Sequence, residues 1–449
     1  MDKGTAEDGD WGYYAPSIPR TTTMPKFQFT KTLAQLADTL DGPALDELGR
    51  ETGFLKRKRD ITPANLVPSL IAALGSGGVT TLTELCFWFN ELTGSNVAEK
   101  TFWDRIANAG FPAMMDNFVG RLSGQLLLQS LRFLPNSPFS RFERILAQDG
   151  SSLAVHNGLA KIFPGRFTKV SPAAVELHLT YDLLAEAAVV TWLAPDKESE
   201  RLYLPDPATL TGSLLLADRG YPSWEYLAEV RDAGGSFIMR LKGCLRPAVV
   251  GFYRDGGQVD LAEAVDLQDF CAAHSDAVLD LLVRPRGDYG TFRLTILRTP
   301  KGRTFLINNL PATSFPPDVV GLAYRLRWQI ELIFKEWKSY ANLHRFSTAN
   351  EQITEGLLWA SIATALLKRF VAKAAQMVGE VAVSTLKTAK RLPAILPKLI
   401  AALFAGVEAL EEAFAHALEA LTLRAKRSNT KRERRIGRQQ LGLRPAYGR

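Results

Sequence analysis

Cysteine is nearly absent. The three in 449 residues, Cys86, Cys244 and Cys271, are too few and too widely spaced for a disulfide framework, and no CxxC pair is available for zinc. The five histidines, among them His156 and His178, are scattered without ligand spacing and are expected to be structural. Long apolar runs are also missing. "LLWASIATALL" (357 to 367) and "LIAALFAGV" (399 to 407) fall short of the ~20 residues that span a bilayer and read as core helices, so no membrane partner is expected. The N-terminal "MDKGTAEDGDWGYY" is acidic and has neither the basic start nor the apolar stretch of an export signal. A reducing, cytoplasmic setting is the expectation.

What is present is an ordinary globular composition with a net charge of +7 and a pI near 9.2, long enough for two or three domains. Residues 1–26 read as a flexible arm. Apolar residues spaced by three and four predict a helical N-terminal domain over 27–138. Within it, "TTLTELCFWFNELTGSNVAEKTFWDRIANAG" is a helix, a Gly-containing turn and a second helix opened by an Asn or Ser cap and carrying Lys100 and Arg105. A DNA-reading helix-turn-helix and a simple packing hairpin both fit it. "FLPNSPFSRFE" (133 to 143) breaks helix with two prolines. Over 139–345 the period shifts to strands, and the fold class expected is α/β, with a β-rich insertion at 243–317 where helical signal vanishes. A C-terminal helical region follows at 346–425. The tail at 426–449 is expected to be a mobile basic arm; from Arg424 to Arg449 it holds ten Arg or Lys against one Glu.

Two apolar strands, "ILAQDGS" and "LLLADRGY", each end on a carboxylate before a Gly-containing turn, Asp149 and Asp218. Catalytic groups gather at such strand ends in α/β sheets, although Asp is also a routine turn starter. Further on, "YRLRWQIELIFKEWK" (324 to 338) reads as one helix. At 100° per residue Tyr324, Arg327, Glu331 and Lys338 share an arc of roughly 60°, and Leu326, Ile330, Ile333 and Trp337 another, about 120° away. Helix geometry alone leaves two readings, a working edge or a surface charge ladder of Glu331 with Lys335 and Lys338.

The spacing Tyr324, two residues, Arg327, three residues, Glu331, six residues, Lys338 resembles without a gap the Tyr-Arg-Glu-Lys signature of the IS4-type DDE transposases, and "LLLADRGY", "FIMRLK" and "AQDGSS" are similar to that family's strand motifs. The resemblance implies an RNase H-like catalytic core with a β-rich insertion, and carboxylates Asp149, Asp218 and Glu331 as catalytic triad and ligands of Mg²⁺ or Mn²⁺. It implies DNA-gripping roles for Tyr324, Arg327 and Lys338, with Trp328 packing either on a base or sugar or at the core edge. The expected partners are double-stranded DNA, as transposon ends and target, and a second copy of the chain in a synaptic dimer near the nucleoid. Some relatives hold a flipped base with an aromatic from the insertion. No Trp lies between Trp224 and Trp328 here, which leaves Phe292 or Phe305 for that role.

Overall fold

The computed structural model describes residues 26–125, 131–241, 246–275, 278–300, 302–340, 348–426 and 441–445. Six helices come first: α1 (Lys26–Thr39), α2 (Gly42–Glu51), α3 (Pro63–Ser76), α4 (Leu82–Thr93), α5 (Glu99–Ile106) and α6 (Gly110–Gln125). Local sequence explains their ends. Thr81 caps α4 in a reciprocal box with Glu84, and Gly94 stops the helix at φ 66°, a left-handed conformation that costs glycine little. The α4–α5 pair forms as its pattern predicts, but α5 opens at Ala98 rather than on an Asn or Ser cap. The turn is held instead by the Asn90 amide, which donates to the Val97 carbonyl and accepts from the Val97 N–H.

Strands follow as β1 (Leu131–Phe133), β2 (Arg144–Ala154), β3 (Ala174–Asp182), β4 (Ala187–Pro195) and β5 (Ser213–Ala217). Next come α7 (Trp224–Asp232), β6 (Ser236–Arg240), β7 (Ala248–Arg254), β8 (Gly257–Asp266), α8 (Leu267–Ala273), β9 (Leu279–Arg284), β10 (Phe292–Thr299) and β11 (Gly302–Asn308). Ten of these strands form one mixed sheet in the order β4-β3-β2-β5-β6-β11-β10-β9-β7-β8. Its first half, an antiparallel β2-β3-β4 meander beside parallel β5 and β6, has the strand order of an RNase H-like core. β5 is buried along its whole length, as a central parallel strand must be.

The segment at 243–317 does not stand apart from this sheet, because β11 pairs antiparallel with β6 and carries the remaining strands on as an extension. It also contains a helix that the sequence pattern does not signal: α8 is only seven residues long, capped by the Asp266 carboxylate, too short to show a period. Phe292 is buried at 2% exposure beneath Trp224 and Phe237, so it is not available to hold a base, whereas Phe305 packs against the same core but is only half-buried.

The last elements are α9 (Pro317–Arg325), α10 (Trp328–Tyr340), α11 (Glu351–Gly379), α12 (Thr385–Ala405), α13 (Val407–Arg424) and β12 (Leu443–Pro445). The basic tail is therefore not wholly an arm. Residues 427–440 and 446–449 lie outside the described residues, but β12 pairs antiparallel with β1, and the Ser137 hydroxyl donates to the Leu441 carbonyl at 2.7 Å. Among the described residues no helix is long and apolar enough to cross a membrane.

The predicted single helix at 324–338 is two helices. Between α9 and α10 the amides of Leu326, Arg327, Gln329 and Ile330 bond three residues back instead of four, a tightened turn centred on Leu326 and Arg327. The apolar set still works as one face: Leu326, Ile330, Ile333 and Trp337 are all buried in the large core that joins the sheet to the helical layers. Ile330→Ala is expected to lower unfolding free energy by ~2–5 kcal/mol in a denaturant titration, the range for truncating a fully buried aliphatic; a loss below ~1 kcal/mol would show that α10 is not docked through this face.

Candidate active site

Asp149 does not end its strand. It sits in the middle of β2, which continues to Ala154 against β3. What ends there is the parallel pairing with β5, whose last pair is Gln148 with Ala217, so Asp149 and Asp218 follow side by side where the two central strands part. The strand-end rule is met by the neighbour rather than by the strand itself.

The turn between α9 and α10 aims Arg327 at this point. Its guanidinium donates from Nη1 to Asp149 Oδ2 at 2.7 Å and from Nη2 to Glu331 Oε1 at 2.5 Å, a fork shared between two carboxylates. Tyr324 donates its hydroxyl to Asp218 Oδ1 at 3.2 Å. Lys338 Nζ donates to the Ser152 carbonyl at 2.8 Å, three residues beyond Asp149 on β2. Six of the seven residues singled out in the sequence thus converge on one place. The seventh, Trp328, opens α10 half exposed, which fits either of its two expected roles, while Trp337 is buried in the core.

Electrostatics follow from this crowding. Burial raises the Asp149 pKa to about 6, against the opposing pull of Arg327 and the Gly150 N–H, with Glu331 and Asp218 adding to the rise. Arg327 is held firmly protonated, since the charges of Asp149 and its neighbours outweigh its own desolvation. Burial pushes the Tyr324 hydroxyl up, with Asp218 contributing, and draws Lys338 down. Among the described residues no three His, Cys, Asp or Glu side chains close into a preformed metal cluster, because the Arg327 fork stands between Asp149 and Glu331. The donor set nevertheless suits a hard divalent cation: three carboxylates, two of them already spanning a positive charge.

Behind the site lies a polar network that the motifs do not mark. Glu176, His178 and Thr180 alternate along β3 and are all buried, opposite Ser152, Gly150 and Gln148 of β2. Arg166 donates to Glu176 at 2.8 Å, to Glu200 at 3.1 Å and, through its backbone N–H, to Asp196 at 2.8 Å. Ser152 donates its hydroxyl to Asp196. His178 stacks on Tyr203, ring centroids 4.1 Å apart, and burial then Arg166 lower its pKa to about 4, so the imidazole is neutral at physiological pH. Gly150 makes room for this layer, since a Cβ there would lie 2.4 Å from Glu176 Oε1. The available signal was "VELHLTY", a strand with polar residues at every second position where a central strand should be apolar throughout.

Comparison with known proteins identifies the family. A family model described as "Transposase DDE domain" matches residues 140–367. The transposase for insertion sequence element IS231C of Bacillus thuringiensis subsp. berliner is 24% identical over 353 residues, 69% of this chain and 73% of that protein. The transposase for insertion sequence element IS1151 of Clostridium perfringens is 21% identical over 416 residues, 83% and 87% of the two chains. That for IS421 of Escherichia coli is 24% identical over 352 residues, 72% and 89%.

Burial raises the Glu176 pKa to about 7 against the attraction of Arg166. A carboxyl whose folded pKa exceeds its unfolded value costs stability once ionised, so its contribution falls as pH rises from about 4.5 to about 7 and is level above that. Thermal melts of Glu176→Gln should therefore gain on those of the wild type as pH rises through this window. A constant difference would show that Glu176 titrates normally.

With the matched region running from before β2 through both aspartates and the Tyr-Arg-Glu-Lys helices into α11, the chain belongs to the DDE transposases, of the IS4 type.

Proposed function

We propose that the protein cuts DNA phosphodiesters at the ends of its own insertion sequence and joins the freed 3′ ends to target DNA. The observation that carries this reading is the convergence of Asp149, Asp218 and Glu331 from three separate elements on one point, with Tyr324, Arg327 and Lys338 around it.

Asp149, Asp218 and Glu331 would hold Mg²⁺ or Mn²⁺. Such ions, when bound, activate a water or a DNA 3′-hydroxyl and stabilise the leaving oxygen. The chain's own groups prepare the site. The Gly150 N–H and the Arg327 fork orient Asp149 and favour its charged form, and Tyr324 orients Asp218. At neutral pH Asp149, with its pKa at about 6, is mostly ionised and able to act as a ligand. Tyr324, Arg327 and Lys338 then pass from these internal partners to the phosphates flanking the scissile bond, each holding the backbone without reading sequence. Trp328, half exposed at the start of α10, packs on a base or sugar of the end in this reading. Two ends must be cut and joined together, so the working form is a dimer.

Asp149→Ala, Asp218→Ala and Glu331→Ala should each lower Mg²⁺-dependent cleavage of a duplex carrying the element's inverted repeats by ~10²-fold or more, a usual cost of removing a group that stabilises transition-state charge. Wild-type cleavage by any one of them would remove it from the triad, and cleavage without joining by the wild type would make the protein a nuclease. Arg327 lowers the Asp149 pKa, so Arg327→Ala should shift the acid limb of the cleavage–pH profile upward, besides slowing the reaction. An unmoved limb would show that Arg327 acts on DNA alone.

A further inference from the structure

Each catalytic aspartate is followed by a glycine that a glutamate approaches closely. Gly150 comes directly after Asp149, and a Cβ there would lie 2.4 Å from Glu176 Oε1. Gly220 lies in the turn after Asp218, where the Tyr221 N–H donates to the Asp218 carbonyl at 3.2 Å, and a Cβ there would lie 2.2 Å from Glu200 Oε2. Neither glycine has a positive φ, so each position uses the missing side chain rather than the backbone freedom.

The other oxygen of each glutamate meets one guanidinium. Arg166 donates from Nη2 to Glu176 Oε2 at 2.8 Å and from Nη1 to Glu200 Oε1 at 3.1 Å. The arginine is itself pinned, because its backbone N–H donates to Asp196 Oδ2 at 2.8 Å and its Nε to the Asp196 carbonyl at 3.2 Å. Asp196 is buried and accepts from the Ser152 hydroxyl of β2. Arg201, next to Glu200, donates to the Gly220 carbonyl at 3.4 Å, a second hold on the turn that carries Asp218. A continuous path of side chains thus runs from the residue after Asp149, through Glu176, Arg166 and Glu200, to the Asp218 turn.

Nothing else of this kind ties the two aspartates from behind. Parallel pairing of β2 with β5 stops at Gln148 and Ala217, one residue short of both. On the other face Arg327 holds Asp149 and Tyr324 holds Asp218, but these are the groups that pass to DNA in the function proposed above. The rear path has no such second duty. A planar guanidinium forked between two carboxylates fixes their separation, which a flexible ammonium does not.

We propose that Arg166 is a positioning residue that sets the separation of Asp149 and Asp218 through Glu176 and Glu200, and thereby favours Mg²⁺ over larger cations at the pair. The inference rests on the metal-holding role proposed above for the two aspartates. Mg²⁺ demands short bonds in near-ideal octahedral geometry, whereas Ca²⁺ accepts longer bonds and variable coordination, so a loosened pair penalises Mg²⁺ more.

The test is calorimetric titration of Mg²⁺, and separately of Ca²⁺, into the DNA-free full-length protein, with thermal melts in chelator to confirm folding. Arg166→Ala should weaken Mg²⁺ binding by ~10–100-fold, the usual cost of removing a group that orients a metal ligand, and Ca²⁺ binding by less. Should that variant not fold, Glu200→Ala, which frees only the Asp218 turn, is expected to lose ~10-fold on Mg²⁺. Arg166→Lys keeps the charge without the fork and should behave as Arg166→Ala; full rescue by lysine would reduce Arg166 to neutralising Glu176 and overturn the proposal. Equal losses for Mg²⁺ and Ca²⁺ overturn it as well. Asp149→Ala separates the two readings. If it loses Mg²⁺ binding while the Arg166 and Glu200 variants bind as the wild type, this inference alone fails; if it binds Mg²⁺ as the wild type, the metal assignment fails and this inference with it.

Discussion

Everything at the carboxylate site depends on one guanidinium. Arg327 lies between Asp149 on the central strand and Glu331 on the helix that follows it, and bonds to both. Three acids gathered from β2, the end of β5 and α10 would repel one another, and the fork offsets that repulsion while fixing where α10 stands over the sheet. The tightened turn at Leu326 and Arg327 has the same origin in geometry. A continuous helix would carry Arg327 along its own cylinder, whereas three-residue bonding between α9 and α10 re-aims it toward β2.

That arrangement is costly to keep. The pull of Arg327 does not fully offset the burial of Asp149, whose pKa remains near 6. The structure around it is correspondingly rigid. Apolar contacts of Leu326, Ile330, Ile333 and Trp337 hold the helical side, and the Arg166, Glu176, Asp196 and Ser152 network holds the strand from the opposite face. Lys338 ties the two together through the Ser152 carbonyl. A site whose charged groups must be reproducibly placed gains from support on both faces, because small displacements of preorganised charge are expensive in rate.

Much of this was legible in residue order. The change from helical to strand period near residue 139, the hairpin of β3 and β4, and the fully apolar β5 all follow from local pattern. The signature spacing located Tyr324, Arg327, Glu331 and Lys338, and the two Asp motifs located their partners. Less legible were features that depend on a neighbour distant in sequence. Asp149 reads as a strand end, yet β2 runs on, because β3 continues to pair with it after β5 has stopped. Phe292 reads as a free aromatic in a loop-rich insertion, yet it is core, because β11 joins β6 and makes that insertion part of the central sheet. The short pairing of β12 with β1 falls in a tail whose composition signals only charge.

The sequence by itself determined which residues are candidates for the chemistry, since residue type and spacing along one strand or one helix turn are local properties set by backbone geometry. Only the tertiary structure decided how those residues engage one another. That Arg327 reaches Asp149 and that Tyr324 holds Asp218 are contacts between segments far apart in the chain. Their partners are chosen by how the sheet and helices pack, and no local period encodes that choice.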